Sequence, residues 1–202
     1  MYSVKDRQKM LKELGLYTGK VDGIEGKLTM QAYDKLQKKY FFRKSDKDGK
    51  YGINTDKLLH NVYWISTTKN FDYLKDKMYC RCKGKYCSGS PVYYSKALLG
   101  YLKDYRVKYI GIPMTITSGL RCSNWNKRNN GASKSRHLDG KALDFTTSKS
   151  KSLDVRKKYS DEWIKHYSDA RYSYSNGYAN LDGKKSKPKV PSMGNSVHID
   201  VI

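Results

Sequence analysis

Apolar residues recur at helical spacing through the first third of the chain. Val4, Leu11 and Leu14 fall on one stripe, and Gly15 follows as a stop. Met30, Tyr33, Leu36 and Tyr40 mark a second helix, and Leu58, Leu59 and Val62 a third. The loops that lead into the second and third helices repeat each other, VDGIEGKLT from Val21 and DGKYGINT from Asp48. Each reads Asp-Gly-x-x-Gly and is followed by Thr29 or Thr55. Asp-Gly favours a tight turn, the second glycine permits an unusual backbone angle, and the threonine is placed to cap the next helix. A duplicated turn between helices predicts a compact three-helix module over 1–63. The charged, mixed stretch 64–77 reads as a linker.

Beyond it the pattern changes. A helix is predicted from about residue 92, with Ala97, Leu98, Tyr101, Leu102 and Tyr105 as its buried stripe. Met114–Ser118 alternates in β-branched style and reads as a strand, as does 142–146. Residues 151–168 look helical. Tyr172 to Ser196 is rich in Tyr, Ser, Gly, Asn and Lys and reads as a long loop of the functional kind. At the end of the chain, VHIDVI puts Val197, Ile199 and Val201 on one face and His198 and Asp200 on the other. The fold class is α+β: a small N-terminal three-helix bundle, then an α+β domain over 78–202 with an antiparallel sheet.

Composition narrows the partners. No apolar run approaches the roughly 18–20 residues of a membrane span, and MYSVKDRQKM reaches charged residues at once, unlike a secretory leader. Synthesis in the cytoplasm is expected, with release by another agent if the protein acts outside. The net charge of +22, from 41 Lys+Arg against 19 Asp+Glu, draws polyanions. Nucleic acid is one candidate, with 19 tyrosines available for stacking. Bacterial walls, with their carboxylates and anionic polymers, are another. No nucleic-acid reading motif is evident, so no specific nucleic-acid partner is expected. The basic residues are spread along the chain, and the KKSKPK run at 184–189 reads as a solvated surface. Cys80, Cys82, Cys87 and Cys122 form a C-x-C-x4-C cluster with one distant partner. A small structural zinc knot and a set of packed thiols both remain open.

The chemistry concentrates in SRHLDGKALDF, residues 135–145, and in the final strand. If 142–146 and 197–201 are neighbouring strands, Asp144, His198 and Asp200 face one pocket and His137 leans in from the preceding loop. An aspartate in the apolar ALDF segment needs a partner. Two imidazoles and a carboxylate with an open fourth position suit a catalytic zinc, which acidifies water and polarises a carbonyl. Such chemistry also needs a base and a donor for the oxyanion. His60 and His166 read as packing or surface residues.

These motifs carry two resemblances. Gly15, Asp22, Gly23, Gly26, Thr29, Ala32, Leu36 and Gln37, with Asp48, Gly49, Gly52, Thr55 and Leu58, resemble the peptidoglycan-binding domain of wall hydrolases. Ser135-x-His137-x-x-Gly140-x-Ala142-x-Asp144 resembles the signature of zinc D-alanyl-D-alanine carboxypeptidases of the VanY type, whose superfamily includes phage endolysin peptidases. ITSGLRC with Arg121, the closing His198-x-Asp200 and the cysteine segment extend that likeness over 78–202.

The second resemblance implies that His137, Asp144 and His198 bind one zinc ion. Arg121 would then meet the oxyanion, and Ser135 would orient the His137 region or the substrate. Asn195 stands where several branches carry an acidic residue, which leaves Asp200 either as the base or as support for His198. Arg121 has the alternative of a plain ion pair. Together the resemblances imply a monomeric, phage-type endolysin cutting peptide bonds of peptidoglycan. A bacterial carboxypeptidase of wall remodelling and a non-catalytic wall-binding protein are the alternatives.

Overall fold

The computed structural model describes residues 1–176, 178–180 and 193–202. Helix α1 (Val4–Glu13) starts at Ser3, whose hydroxyl accepts the Asp6 amide, and Gly15 leaves it with φ +71°. Helices α2 (Lys27–Tyr40) and α3 (Ile53–Ser66) each start at the second glycine of a repeated loop, Gly26 and Gly52. Thr29 and Thr55, expected from the sequence to be caps, therefore are not. They lie inside the first turn, and the reason is a buried glutamine in each preceding helix.

Gln8 Nε2 donates to Asp22 Oδ1, the Ile24 carbonyl and Thr29 Oγ1 at 2.9–3.1 Å, while its Oε1 accepts the Gly23 amide at 2.8 Å. Gln37 repeats the pattern on Asp48, Lys50, Thr55 and Gly49. Each loop is thus wired to the helix before it by one fully buried amide side chain. Thr29, Ala32, Tyr33, Leu36, Gln37 and Tyr40 are buried in α2, whereas Met30, expected inside, is half exposed.

The stretch read as a linker is packed. Helix α3 continues to Ser66, and Phe71 and Tyr73 are buried beyond it. The two parts share one apolar core. Asp56 of α3 accepts from the Tyr93 hydroxyl, His60 Nε2 pairs with the Tyr94 carbonyl, and Asn61 bonds both Val92 and Tyr94. Those polar groups are buried, so the three-helix unit is docked on the rest of the chain rather than tethered to it.

Helix α4 (Lys96–Tyr105) is capped by Ser95 and runs into a π-helical turn, Arg106–Ile110, that ends at Gly111 with φ +70°. Strand β1 (Thr115–Ser118), the short helix α5 (Ser123–Arg128), strand β2 (Ala142–Thr146) and helix α6 (Leu153–His166) follow. Strands β3 (Ala170–Ser175), β4 (Tyr178–Asn180) and β5 (Val197–Val201) complete an antiparallel sheet in the order β1-β2-β5-β3-β4. The expected long loop from Tyr172 is thus strand at its start. Residues 181–192, including the KKSKPK run, lie outside the described residues.

One face of the sheet rests on helices. Phe145 of β2 meets Tyr105 edge-on at 6.0 Å, and Trp163 of α6 meets Tyr105 at 5.1 Å. The residues that alternate with this apolar set point the other way, which places the polar members of β2 and β5 on a common surface.

Candidate metal centre

Register builds the site. On adjacent strands Asp144 pairs with His198, Ser118 with Asp144, and Tyr174 with His198, so Ser118, Asp144, His198 and Tyr174 form one row across four strands. Ala142 pairs with Asp200 one step along. His137 enters from a 3-10 turn, Arg136–Leu138, just before β2. Gly140 lets that connection pass close beneath α4. Its φ is +69°, a Cβ would collide with the Tyr93 carbonyl, and its own carbonyl accepts the Ser95 amide at 2.9 Å.

His137, Asp144 and His198 each offer a ligand atom, all within 4.8 Å of one another, and all three are buried. Asp144 Oδ1 lies 2.7 Å from His198 Nδ1 and 3.3 Å from His137 Nε2. His137 Nδ1–H donates to the Gly119 carbonyl at 2.7 Å, which fixes the tautomer that turns the Nε2 lone pair inward. His198 is braced by Tyr174, stacked at 4.3 Å, and its Nε2 lies 3.6 Å from Asp200 Oδ2.

The charges around the centre are unequal. Burial alone would raise the Asp144 carboxyl, but His137 and His198 hold it far below the usual carboxylate range. Burial lowers His137, and Asp144 only partly offsets it. Burial also lowers His198, yet the hydrogen bonds to Asp144 and Asp200 outweigh it and lift it to about 9. This pocket therefore favours a positive charge at the point where the three side chains meet. Its donor set, two oriented imidazole nitrogens and an anionic oxygen, fits a zinc ion.

Arg121 is bound rather than free: Nη2 reaches Asp144 Oδ2 at 2.9 Å, Nε donates to Ser118 at 2.9 Å, and Nη1 meets Asn126 Oδ1 at 3.4 Å. It still lines the cleft above Asp144. Asp200 is buried, and both of its oxygens are engaged. Oδ1 accepts the Tyr172 amide at 2.7 Å and Oδ2 accepts Arg171 Nη2 at 2.7 Å. Burial raises its carboxyl, but His198 and Arg171 lower it further. Ser135 caps the 3-10 turn through its carbonyl, lines the cleft, and its hydroxyl bonds no described residue. The four cysteines converge elsewhere, with sulfurs also within 4.8 Å of one another.

Asn126, Arg171 and Ser118 have no role in the sequence reading. Asn126 holds Arg121 and the Ala132 carbonyl, and Arg171 holds Asp200. Only the asparagines flanking Trp125 hinted at the first.

The cleft over the centre has a volume of about 590 Å³. Arg81, Lys134, Arg136 and Arg171 join Arg121 on its walls, and its two described carboxylates, Asp144 and Asp200, are both paired. Residues 71–176 match the family model for Peptidase M15, more than half of the chain. The chain belongs to the M15 peptidase family. This M15 chain is accordingly a hydrolase of the metallopeptidase type, and zinc is the metal typical of the family. The match includes His137 and Asp144 and stops before His198, which the sheet register supplies. No curated protein matches this M15 peptidase. Among the described residues no helix is long and apolar enough to cross a membrane.

Proposed function

We propose that this M15 peptidase hydrolyses peptide bonds in bacterial peptidoglycan, as a wall-lytic enzyme of the endolysin type. The observation that carries the reading is the meeting of His137, Asp144 and His198 beneath a cleft walled by arginine and lysine. Those three residues would hold one zinc ion, which supplies an acidified water and a polarised carbonyl. Stem peptides of the wall carry free carboxylates, and the cationic walls suit them electrostatically.

Arg121 orients Asp144 through Oδ2 and keeps further N–H groups for the oxygen that gains charge during attack. His137 is locked by the Gly119 carbonyl, and His198 presents Nδ1 because its other nitrogen faces Asp200. Asp200, occupied by Arg171 and the Tyr172 amide, is the positioning residue for His198 and not the proton acceptor. The three-helix unit supports wall binding through its likeness to peptidoglycan-binding domains, and the charge of +22 adds affinity for anionic wall polymers.

The test is to incubate the protein with purified peptidoglycan, with and without chelator and added zinc, and to weigh the released fragments. New peptide termini that vanish with chelator and return with zinc are expected, and their masses identify the bond. Cleavage of glycan linkages, or peptide cleavage indifferent to metal, would sink the proposal.

A further inference from the structure

The cysteine cluster lies apart from the histidine centre and has no part in the mechanism above. Cys80, Cys82 and Cys87 sit on the loop that follows Met78, and Cys122 follows Arg121 directly. All four thiols are unbridged, Cys80 and Cys82 are buried, and every sulfur lies within 4.8 Å of the others. The Cys82 and Cys87 sulfurs are 3.4 Å apart. Sulfurs bonded tetrahedrally to zinc at roughly 2.3 Å stand about 3.8 Å apart, inside this range.

Two backbone amides point at the sulfurs. Cys122 N–H donates to Cys80 Sγ and Gly89 N–H to Cys87 Sγ, each at 3.4 Å. Such donors favour thiolates over thiols. Arg43 of the helical unit, ion-paired with Asp46, stands beside this loop. The loop is pressed onto that unit, since a Cβ at Gly89 would meet Phe42 at 2.9 Å and one at Gly84 would meet Arg43 at 2.8 Å.

We propose that Cys80, Cys82, Cys87 and Cys122 bind a structural zinc ion as four thiolates, fastening the 78–89 loop to the segment that carries Arg121. Four protein ligands close the coordination shell, so this ion is structural and takes no substrate. Two cleft arginines depend on the clamp. Arg81 lies between two of the ligands and reaches the Ile116 carbonyl at 2.8 Å, and Arg121 precedes a third. The site adds to the peptidase reading without depending on it.

The experiment uses the full-length protein purified without chelator. Its thiols are titrated with p-hydroxymercuribenzoate while released zinc is followed with a coloured chelator. One zinc equivalent leaving in step with modification of the four thiols is expected. Cobalt-substituted protein should show intense near-ultraviolet thiolate-to-cobalt charge transfer, and His137→Ala should keep that band and that equivalent. This separates the site from the histidine centre whether or not the enzyme proves active. Release of the clamp should also speed amide exchange at 78–89 and 119–123. No zinc released on thiol modification, no charge-transfer band, or a non-reduced mass showing disulfides would each overturn the site. Unchanged exchange in the metal-stripped protein would overturn its role as a clamp.

Discussion

Asp200→Asn separates a proton acceptor from a positioning residue, because the substitution keeps the shape and removes one acceptor oxygen. In the native protein Oδ1 serves the Tyr172 amide, and Oδ2 serves Arg171 and faces His198 Nε2. An asparagine can satisfy only one of these sides. Whichever way its amide turns, an NH2 group confronts an N–H donor at a position that is 1% exposed. Leaving such a buried group unsatisfied costs about 1–3 kcal/mol. If that cost falls on the orientation of His198, it amounts to roughly 5- to 150-fold in zinc affinity, at about 1.4 kcal/mol per tenfold. This agrees with the roughly 10- to 100-fold seen when outer partners of metal-ligating histidines are lost.

Loss of a general base would act differently, lowering turnover by about 10²–10⁴. The assay therefore needs two readouts: zinc affinity by chelator competition, and kcat on a soluble muropeptide at saturating zinc. Weakened zinc binding with kcat restored by excess metal is the expected result. Unchanged affinity with a thousandfold lower kcat would refute the positioning role and return Asp200 to the base.

Further predictions concern the scaffold. Gln37→Ala removes four hydrogen bonds that tie α2 to the second repeated loop, and should lower unfolding free energy by about 3 kcal/mol at unchanged m-value. A loss below about 1 kcal/mol in urea titration would contradict the wiring. Asp56 accepts from the Tyr2 amide and the Tyr51 and Tyr93 hydroxyls; burial raises its carboxyl, but these bonds hold it below the usual value. Its contribution is therefore present above the unfolded pKa of about 3.9 and lost as pH falls through the lower folded value. Asp56→Asn should flatten the acid limb of stability measured by thermal melts from about pH 6 to about pH 2, and an unchanged slope would count against it. Deletion of 1–63 should yield an unstable or aggregated product, because Tyr93, Tyr94 and Val92 lose buried partners in α3. A monomeric fragment with native circular dichroism would show that the docking is dispensable.

What the sequence disclosed, and what it withheld, follows from how local each signal is. His137 and Asp144 lie within one short motif, and the period-two pattern of VHIDVI set His198 and Asp200 on one face. Both were legible because spacing within a segment fixes direction. Partners across segments are a different matter. Gln8 and Gln37 are fully buried, yet an amide side chain carries no apolar signal, so the apolar pattern of α2 shows Tyr33, Leu36 and Tyr40 correctly, adds the half-exposed Met30 and leaves Gln37 out. Strand β3 looks like loop in the sequence because two of its buried positions, Ser173 and Ser175, are serines. Ser173 Oγ donates to the His198 carbonyl, and a bulky apolar residue there would displace the strand that carries the histidine. The composition that disguised β3 is thus what seats β5. Docking of the two parts was hidden for the same reason. It runs through Asp56, His60 and Asn61, polar residues that find buried partners thirty or more positions away. Polar residues on the apolar face of a predicted helix are therefore the places to seek contacts between modules, and in this chain they mark the dock onto Val92–Tyr94, the segment against which Gly140 of the candidate metal centre packs.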